Sequence, residues 1–401
     1  MRKLPLYLLV VLAIPARAAF LERVAPVAGV TSVPTVAVGA APSLSLSPSL
    51  SAPALLSPSF LAAAPSAPEG PSDAKPQAAA AAPTIALPKG VEEQLLLPGA
   101  LESMFAQLDE AFPLPAASPT SAVRARIRAQ LLSASREYHQ PEGELLAAVA
   151  RESDRALAKI QARLDKGEID PTRTVRLSES DPEIANEEHA HIAVYPVAAD
   201  PFQWGHLLIA LRAVGDLGVD KVVFVLAGDD PRKPTMTPVE RRHPMGRDVL
   251  AIFEPFFAYS PIAVGTTLDG ETNIFRILAL NPDRRVDAWY MVGDDHYRLV
   301  DKKGNPDTLP KLERNYAASD AMGHSPTLHA LKVAFIKREH PAEAVPTTLE
   351  VKFLDHVGFD ASSTQVRGGR HTLMPFSAYD FARRNDGLYG VAPLEDAGDP
   401  K

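Results

Sequence analysis

From His191 onward, short apolar runs alternate with helical stretches, and this alternation restricts the fold more than any other feature of the chain. Ile192–Tyr195, Val222–Ala227, Ala288–Val292 and Val333–Ile336 are apolar throughout, as strands buried on both faces must be. Between them, Leu207–Leu217 runs as a helix up to Gly218. Thr237-Pro238-Val239-Glu240 has the form of a capping box with proline in the first turn, opening a helix through about Phe253. Repeated strand–helix–strand units predict an α/β fold built on a doubly wound parallel sheet. Ligands of such a sheet sit in the crevice beyond the carboxyl ends of the strands, which is where site residues are sought.

The preceding residues follow other patterns. Within 91–170, Leu101, Met104, Phe105 and Leu108 share one helical face, and Leu146, Val149, Leu157, Ile160 and Leu164 recur at three-to-four spacing. Pro141 stands at a first helical position and Gly167 just past a last turn, so two or three amphipathic helices are expected as an accessory layer. Residues 19–90 are rich in Ala, Pro and Ser, with few aromatic side chains. Frequent prolines deny this tract helix and central strand, and it has too little aromatic mass to offset ordering entropy; a disordered tether is expected. At the front, Arg2 and Lys3 precede an apolar run from Leu4 to Ile14, and Ala16-Arg17-Ala18 puts small residues where a signal peptidase reads. The run is too short for a membrane-spanning helix, which needs roughly twenty residues. Residues 1–18 therefore read as a cleaved signal peptide and the chain as exported, with no membrane association after cleavage.

A hydrophobic content of 46% is enough for a sizeable core, and a formal net charge of -8 without clustered Lys and Arg argues against a nucleic-acid coat or an anionic-membrane binder. Small-molecule or protein partners are expected instead. The chain has no cysteine, which excludes disulfides, thiolate metal sites and cysteine nucleophiles. It also lacks a Walker loop, Gly-x-Gly-x-x-Gly, His-Glu-x-x-His and Gly-x-Ser-x-Gly.

Three segments carry candidate chemistry. Asp200-Pro201-Phe202-Gln203-Trp204-Gly205-His206 leads the first strand directly into a helix, whose free N–H groups and positive end favour an anion. Gly205 allows a close approach and His206 stands beside it. The bland alternative is a capping glycine next to a solvated histidine. Ser362, Ser363 and Thr364 open a helical turn with Arg367 one turn on, so hydroxyls and guanidinium can converge on one polyphosphate. Taken alone, this is equally an ordinary Ser/Thr cap with a surface arginine. Gly293-Asp294-Asp295 closes the third apolar run with a carboxylate suited to ribose hydroxyls. A weaker candidate is His189-Ala190-His191, two imidazoles on one strand face that, with Glu187 or Glu188, suit a transition metal; polar edge residues are the commoner reading, and no metal site is assigned. Trp204 and Trp289 are assigned to the core.

Taken in order, Asp200-Pro201, Gly205-His206, Ala227-Gly228-Asp229 with Lys233-Pro234, Arg242 with Met245, Gly293 with Asp295, Arg338 and Ser362-Ser363-Thr364-x-x-Arg367 resemble the nicotinate/nicotinamide mononucleotide adenylyltransferases, within the cytidylyltransferase-like nucleotidyltransferase superfamily. Leu373-Met374-Pro375 through Asn385-Asp386-Gly387-Leu388-Tyr389 is similar to that family's final helix. The resemblance begins at His191 and implies a Rossmann-like nucleotidyltransferase domain over 171–395. Its implied reaction joins ATP to nicotinate or nicotinamide mononucleotide with release of pyrophosphate, with Mg2+ accompanying the ATP. It implies that Gly205 and His206 bind ATP phosphates, that Ser362, Ser363, Thr364 and Arg367 hold the β- and γ-phosphates, and that Asp295, two residues after Gly293, contacts adenosine. A mononucleotide phosphate is already ionised at neutral pH, so His206 and Arg367 would act on developing charge rather than as bases.

Two positions depart from the family's pattern. Pro196-Val197-Ala198-Ala199 replaces a glycine-rich Gly-Gly-Ser/Thr-Phe, and Gln203 stands where the family has His or Thr, so it offers a hydrogen bond without charge. A nucleotide-binding module without turnover, or a transferase for another phosphorylated acceptor, are the alternatives.

Overall fold

Six parallel strands carry the fold: β1 (Ala190–Val197), β2 (Lys221–Leu226), β3 (Phe257–Ser260), β4 (Val286–Gly293), β5 (His329–Lys337) and β6 (Glu350–Asp355). They form one sheet in the order β3-β2-β1-β4-β5-β6, the doubly wound Rossmann-like order. Ten α-helices are described: α1 (Pro98–Ala111), α2 (Pro119–Glu137), α3 (Gly143–Asp165), α4 (Trp204–Ala213), α5 (Val239–Ala251), α6 (Gly270–Ala279), α7 (Thr308–Ala317), α8 (Ser319–Met322), α9 (Ser363–Arg367) and α10 (Phe376–Arg384). This computed structural model describes residues 98–184, 189–231, 233–266, 270–297, 299–338 and 344–394, all within the unit Ala81–Lys401. The signal peptide and tether read at 1–18 and 19–90, with Glu187 and Glu188, lie outside the described residues.

The four apolar runs of the sequence are β1, β2, β4 and β5. The apolar pattern did not show β3 and β6, the two edge strands. An edge strand has one neighbour and less cover, so Phe-Ala-Tyr-Ser and Glu-Val-Lys-Phe-Leu-Asp need not be continuously apolar. One hydrophobic core joins Leu101, Ile127, Leu146 and Leu157 of α1–α3 to Leu207 and Leu211 of α4, Phe253, and Tyr195, Trp289 and Met291 on one sheet face. The accessory helices are thus a third layer on that face. The opposite face is closed by Ile274 and Phe275 of α6 and Leu309 and Leu312 of α7, packed on Val194, Tyr290 and Phe335. Trp204 and Trp289 are buried, as expected. Among the described residues no helix is long and apolar enough to cross a membrane.

Local signals held in part. Gly167 takes φ 67° just past α3, and the N–H groups of Gly167 and Glu168 bond to the carbonyls of Leu164 and Arg163, satisfying the end of the helix. Pro141 lies two residues before the first residue of α3 rather than in its first turn. The capping box at Thr237 does not form. Asp229 instead accepts from the Val239 N–H at 3.1 Å, a cap supplied from ten residues upstream. The carbonyl of Thr237 is taken by Arg242, which is fully buried and also donates to the carbonyls of Ala198, Ala227 and Gly228 at 2.6–3.2 Å. One guanidinium therefore fastens the carboxyl ends of β1 and β2 to α5.

Candidate nucleotide site

The strand order reverses between β1 and β4, where a crevice is built by default because the connections leave to opposite faces. The pairing shows it opening. β1 stays with β2 as far as Val197↔Leu226 but leaves β4 after Val194↔Tyr290. Pro196, just beyond that point, has no N–H to give to a neighbour. Between the parted strands lies a cavity of about 300 Å3. One wall is Pro196, Ala198, Gln203, Gly205 and His206; the other is Gly293, Asp295 and His296, with Arg338 following β5 and His356 following β6. The fold thus brings together Gln203, Gly205, His206, Gly293 and Asp295, from two segments separated by the whole of β2, α5, β3 and α6. His296 and His356 were not anticipated. His296 adjoins Asp295 in sequence, whereas nothing local marks His356.

Gln203 is the N-cap of α4. Its Oε1 accepts hydrogen bonds from the N–H groups of Gly205 and, at 3.3 Å, His206. These are the donors expected to receive a phosphate, so the side chain that departs from the family's pattern occupies the anion-binding end of the helix itself. The missing side chain of Gly205 serves this contact, since a Cβ there would stand 2.5 Å from Gln203 Oε1. The other departure has a backbone consequence. Ala199 adopts φ 48°, a left-handed conformation that costs a residue with a Cβ roughly 1–2 kcal/mol and would suit the family's glycine-rich backbone better.

His206 keeps part of its ring at the cavity, while its Nδ1 is sealed from solvent without a hydrogen-bond partner. Burial, helped by the positive charge of Arg338, pushes the imidazole down to about 4. It therefore enters the cavity neutral at pH 7, as a dipole rather than a cation. Permanent positive charge at the cavity comes from Arg338, whose backbone N–H is held at 2.9 Å by the buried carboxylate of Asp294. Asp295 folds back over Gly293, its Oδ1 taking the space that a Cβ there would need. His296 faces the buried Glu271 at 3.8 Å, and that carboxylate raises its pKa above the ordinary imidazole value.

Ser362, Ser363, Thr364 and Arg367 do not line this cavity. Ser362 caps α9 in a full capping box with Gln365. Ser363 Oγ donates to the Pro201 carbonyl at 2.8 Å. Arg367 donates to the Asp200 carbonyl, lies 3.6 Å from its carboxylate and reaches Thr364 Oγ1 at 3.3 Å. Thr364 and Arg367 thus share a face as their spacing requires, and the whole turn is latched onto the loop that feeds α4. All three hydroxyls have intramolecular partners.

No protein-family model matches the chain. A probable nicotinate-nucleotide adenylyltransferase of Thermus thermophilus is 29% identical over 181 residues, covering 44% of this chain and 84% of that protein. One of a Thermoanaerobacter species is 32% identical over 79 residues, 20% of this chain and 37% of that protein. Among solved structures, Plasmodium falciparum nicotinic acid mononucleotide adenylyltransferase aligns with 52% of this chain and 100% of its own. Its complex with APC gives 12% identity and a TM-score of 0.35, and its complex with NaAD 11% and 0.36. The ordered residues at the mouth of the β1–β4 crevice and the 181-residue match make this chain a distant homologue of the nicotinate-nucleotide adenylyltransferases.

Proposed function

We propose that the β1–β4 crevice binds ATP and transfers its adenylyl group to a mononucleotide, nicotinate or nicotinamide mononucleotide, releasing pyrophosphate. The observation that carries this reading is the convergence of Gly205, His206, Asp295 and Arg338 on one cavity at the carboxyl ends of β1, β4 and β5. The attacking phosphate is already ionised, so the protein's task is to position two polyanions and to stabilise charge developing at the α-phosphate. Neutral His206 would donate a hydrogen bond there, and Arg338 would add fixed charge. Arg367, held against Asp200, would reach the departing phosphates by exchanging that partner for them, with the hydroxyls of Ser362, Ser363 and Thr364 beside it. Asp295 would hold the ribose.

Among the described residues, no group with metal-ligand spacing lies at the cavity. Mg2+ would accordingly enter on the triphosphate, held by phosphate oxygens and water, and supply charge for the departing pyrophosphate. The test is pyrophosphate release by the purified chain from ATP with either mononucleotide; no release with either overturns the reading.

The capping of Gly205 and His206 by Gln203 favours a second reading, a module that binds nucleotide without turnover. Calorimetric ATP binding without pyrophosphate release selects it. Export by residues 1–18 remains part of the proposal, and recovery of the uncleaved chain from the cytoplasm would overturn that part.

A further inference from the structure

At the end of the sheet away from the cavity, His189, His191 and Asp287 meet. His189 and His191 are two residues apart at the start of β1, so their side chains leave the same face. Their ring centroids lie 4.2 Å apart. Asp287 is the register partner of His191 on β4. Its Oδ1 is 2.8 Å from His189 Nε2 and its Oδ2 is 3.8 Å from His191 Nδ1. One donor atom from each residue belongs to a set lying within 4.8 Å of one another. A tetrahedral ion with bonds of about 2.0–2.1 Å needs donors roughly 3.3 Å apart, which side-chain torsions can supply from these positions. The three side chains are 21–34% exposed, so an ion can reach them from solvent.

We propose that His189, His191 and Asp287 form a binding site for a borderline divalent transition ion, Zn2+ foremost, with water completing the coordination. Two imidazoles and one carboxylate suit Zn2+, Ni2+ or Cu2+ better than Mg2+ or Ca2+, which take oxygen donors. The neighbouring groups are compatible with it. Lys332 Nζ lies 3.8 Å from Asp287 but 3.2 Å from Glu350, so it keeps a partner when Asp287 turns to a metal. Asp220, fully buried, accepts from the His191 backbone N–H at 2.9 Å and anchors the strand at this position. His191 and Val197 are six strand residues apart, about 20 Å, so the ion is remote from the nucleotide crevice. It would tie β1 to β4 at one end of the sheet, where the same strands part at the other.

The experiment uses the untagged chain stripped with EDTA, titrated with ZnCl2 by calorimetry and with CoCl2 by visible absorption. One ion per chain is expected, with a Co2+ band of tetrahedral intensity and a thermal midpoint that rises with Zn2+. His191→Ala and Asp287→Asn should weaken binding by more than about tenfold, while His139→Ala leaves it unchanged. Should His191→Ala fail to fold, His189→Gln and the Co2+ spectrum of the unaltered chain carry the test. Absence of saturable Zn2+ binding, or equal binding by His189→Gln, Asp287→Asn and the unaltered chain, overturns the proposal and leaves a plain His–Asp pair.

Discussion

Replacing Gln203 with alanine should move stability and ATP affinity in opposite directions. Its Oε1 satisfies the N–H groups of Gly205 and His206 at the start of α4. Loss of a side-chain cap costs about 1 kcal/mol. In a folded unit of this size that lowers the thermal midpoint by about 2 °C. A triphosphate seated on the same two amides must displace the Gln203 oxygen first, and in the alanine variant that displacement is already made. The same free energy of about 1 kcal/mol then favours binding, so the Kd for ATP should fall by up to roughly fivefold. Urea unfolding and calorimetry with ATP, on the same preparations, measure the two effects separately. A variant that loses stability but binds ATP no better than the parent would refute the reasoning, because the phosphate would then not sit on these amides. Gln203→His is the companion change: a higher turnover identifies the amide as a cause of slow chemistry, and an unchanged one moves attention to Pro196–Ala199.

If His206 acts on charge that develops during transfer, His206→Ala should lower kcat by about two powers of ten with little change in the KM for ATP. Asp295→Ala, losing a contact made equally before and during transfer, should raise that KM and spare kcat; steady-state kinetics within about twofold of the parent for both would remove them from the site. Burial holds His206 at about 4, below its unfolded value of about 6.5, so the unfolded chain takes up this proton first. His206 therefore makes stability rise with pH between about 4 and 6.5 and fall away as pH drops through that window, by roughly 3 kcal/mol in full. Urea midpoints across pH 4–7 should show a shallower slope for His206→Phe, and an identical slope would contradict the burial argument. Arg242→Met leaves the carbonyls of Thr237, Ala198, Ala227 and Gly228 without this donor and should lower the unfolding free energy by about 3 kcal/mol or more, read as a lower urea midpoint at unchanged slope. An unchanged midpoint would show that these carbonyls find other partners.

The sequence by itself determined the doubly wound sheet and the end of it where a ligand would sit. A strand covered on both faces has to be apolar throughout, so β1, β2, β4 and β5 announced themselves, and carboxyl-end loops placed Gly205, His206, Gly293 and Asp295 near one crevice. Short-range hydrogen-bond logic was legible in part, since the capping box read at Thr237 gives way to a cap from Asp229. Gly167 ends α3, and Ser362 caps α9. Partner choice was not. Gln203 shows its residue type in the sequence but not that its side chain turns back onto the amides of α4. Arg367 shows its one-turn spacing from Thr364 in the sequence but not its contact with Asp200, 167 residues away. His189 and His191 meet Asp287, which the β1–β4 register sets opposite His191 and which nothing local in the sequence marks as their neighbour. Burial period and turn chemistry are properties of a few consecutive residues, so they can be read from the chain. Which charge meets which depends on strand order and register across the sheet, and only the tertiary structure decides those.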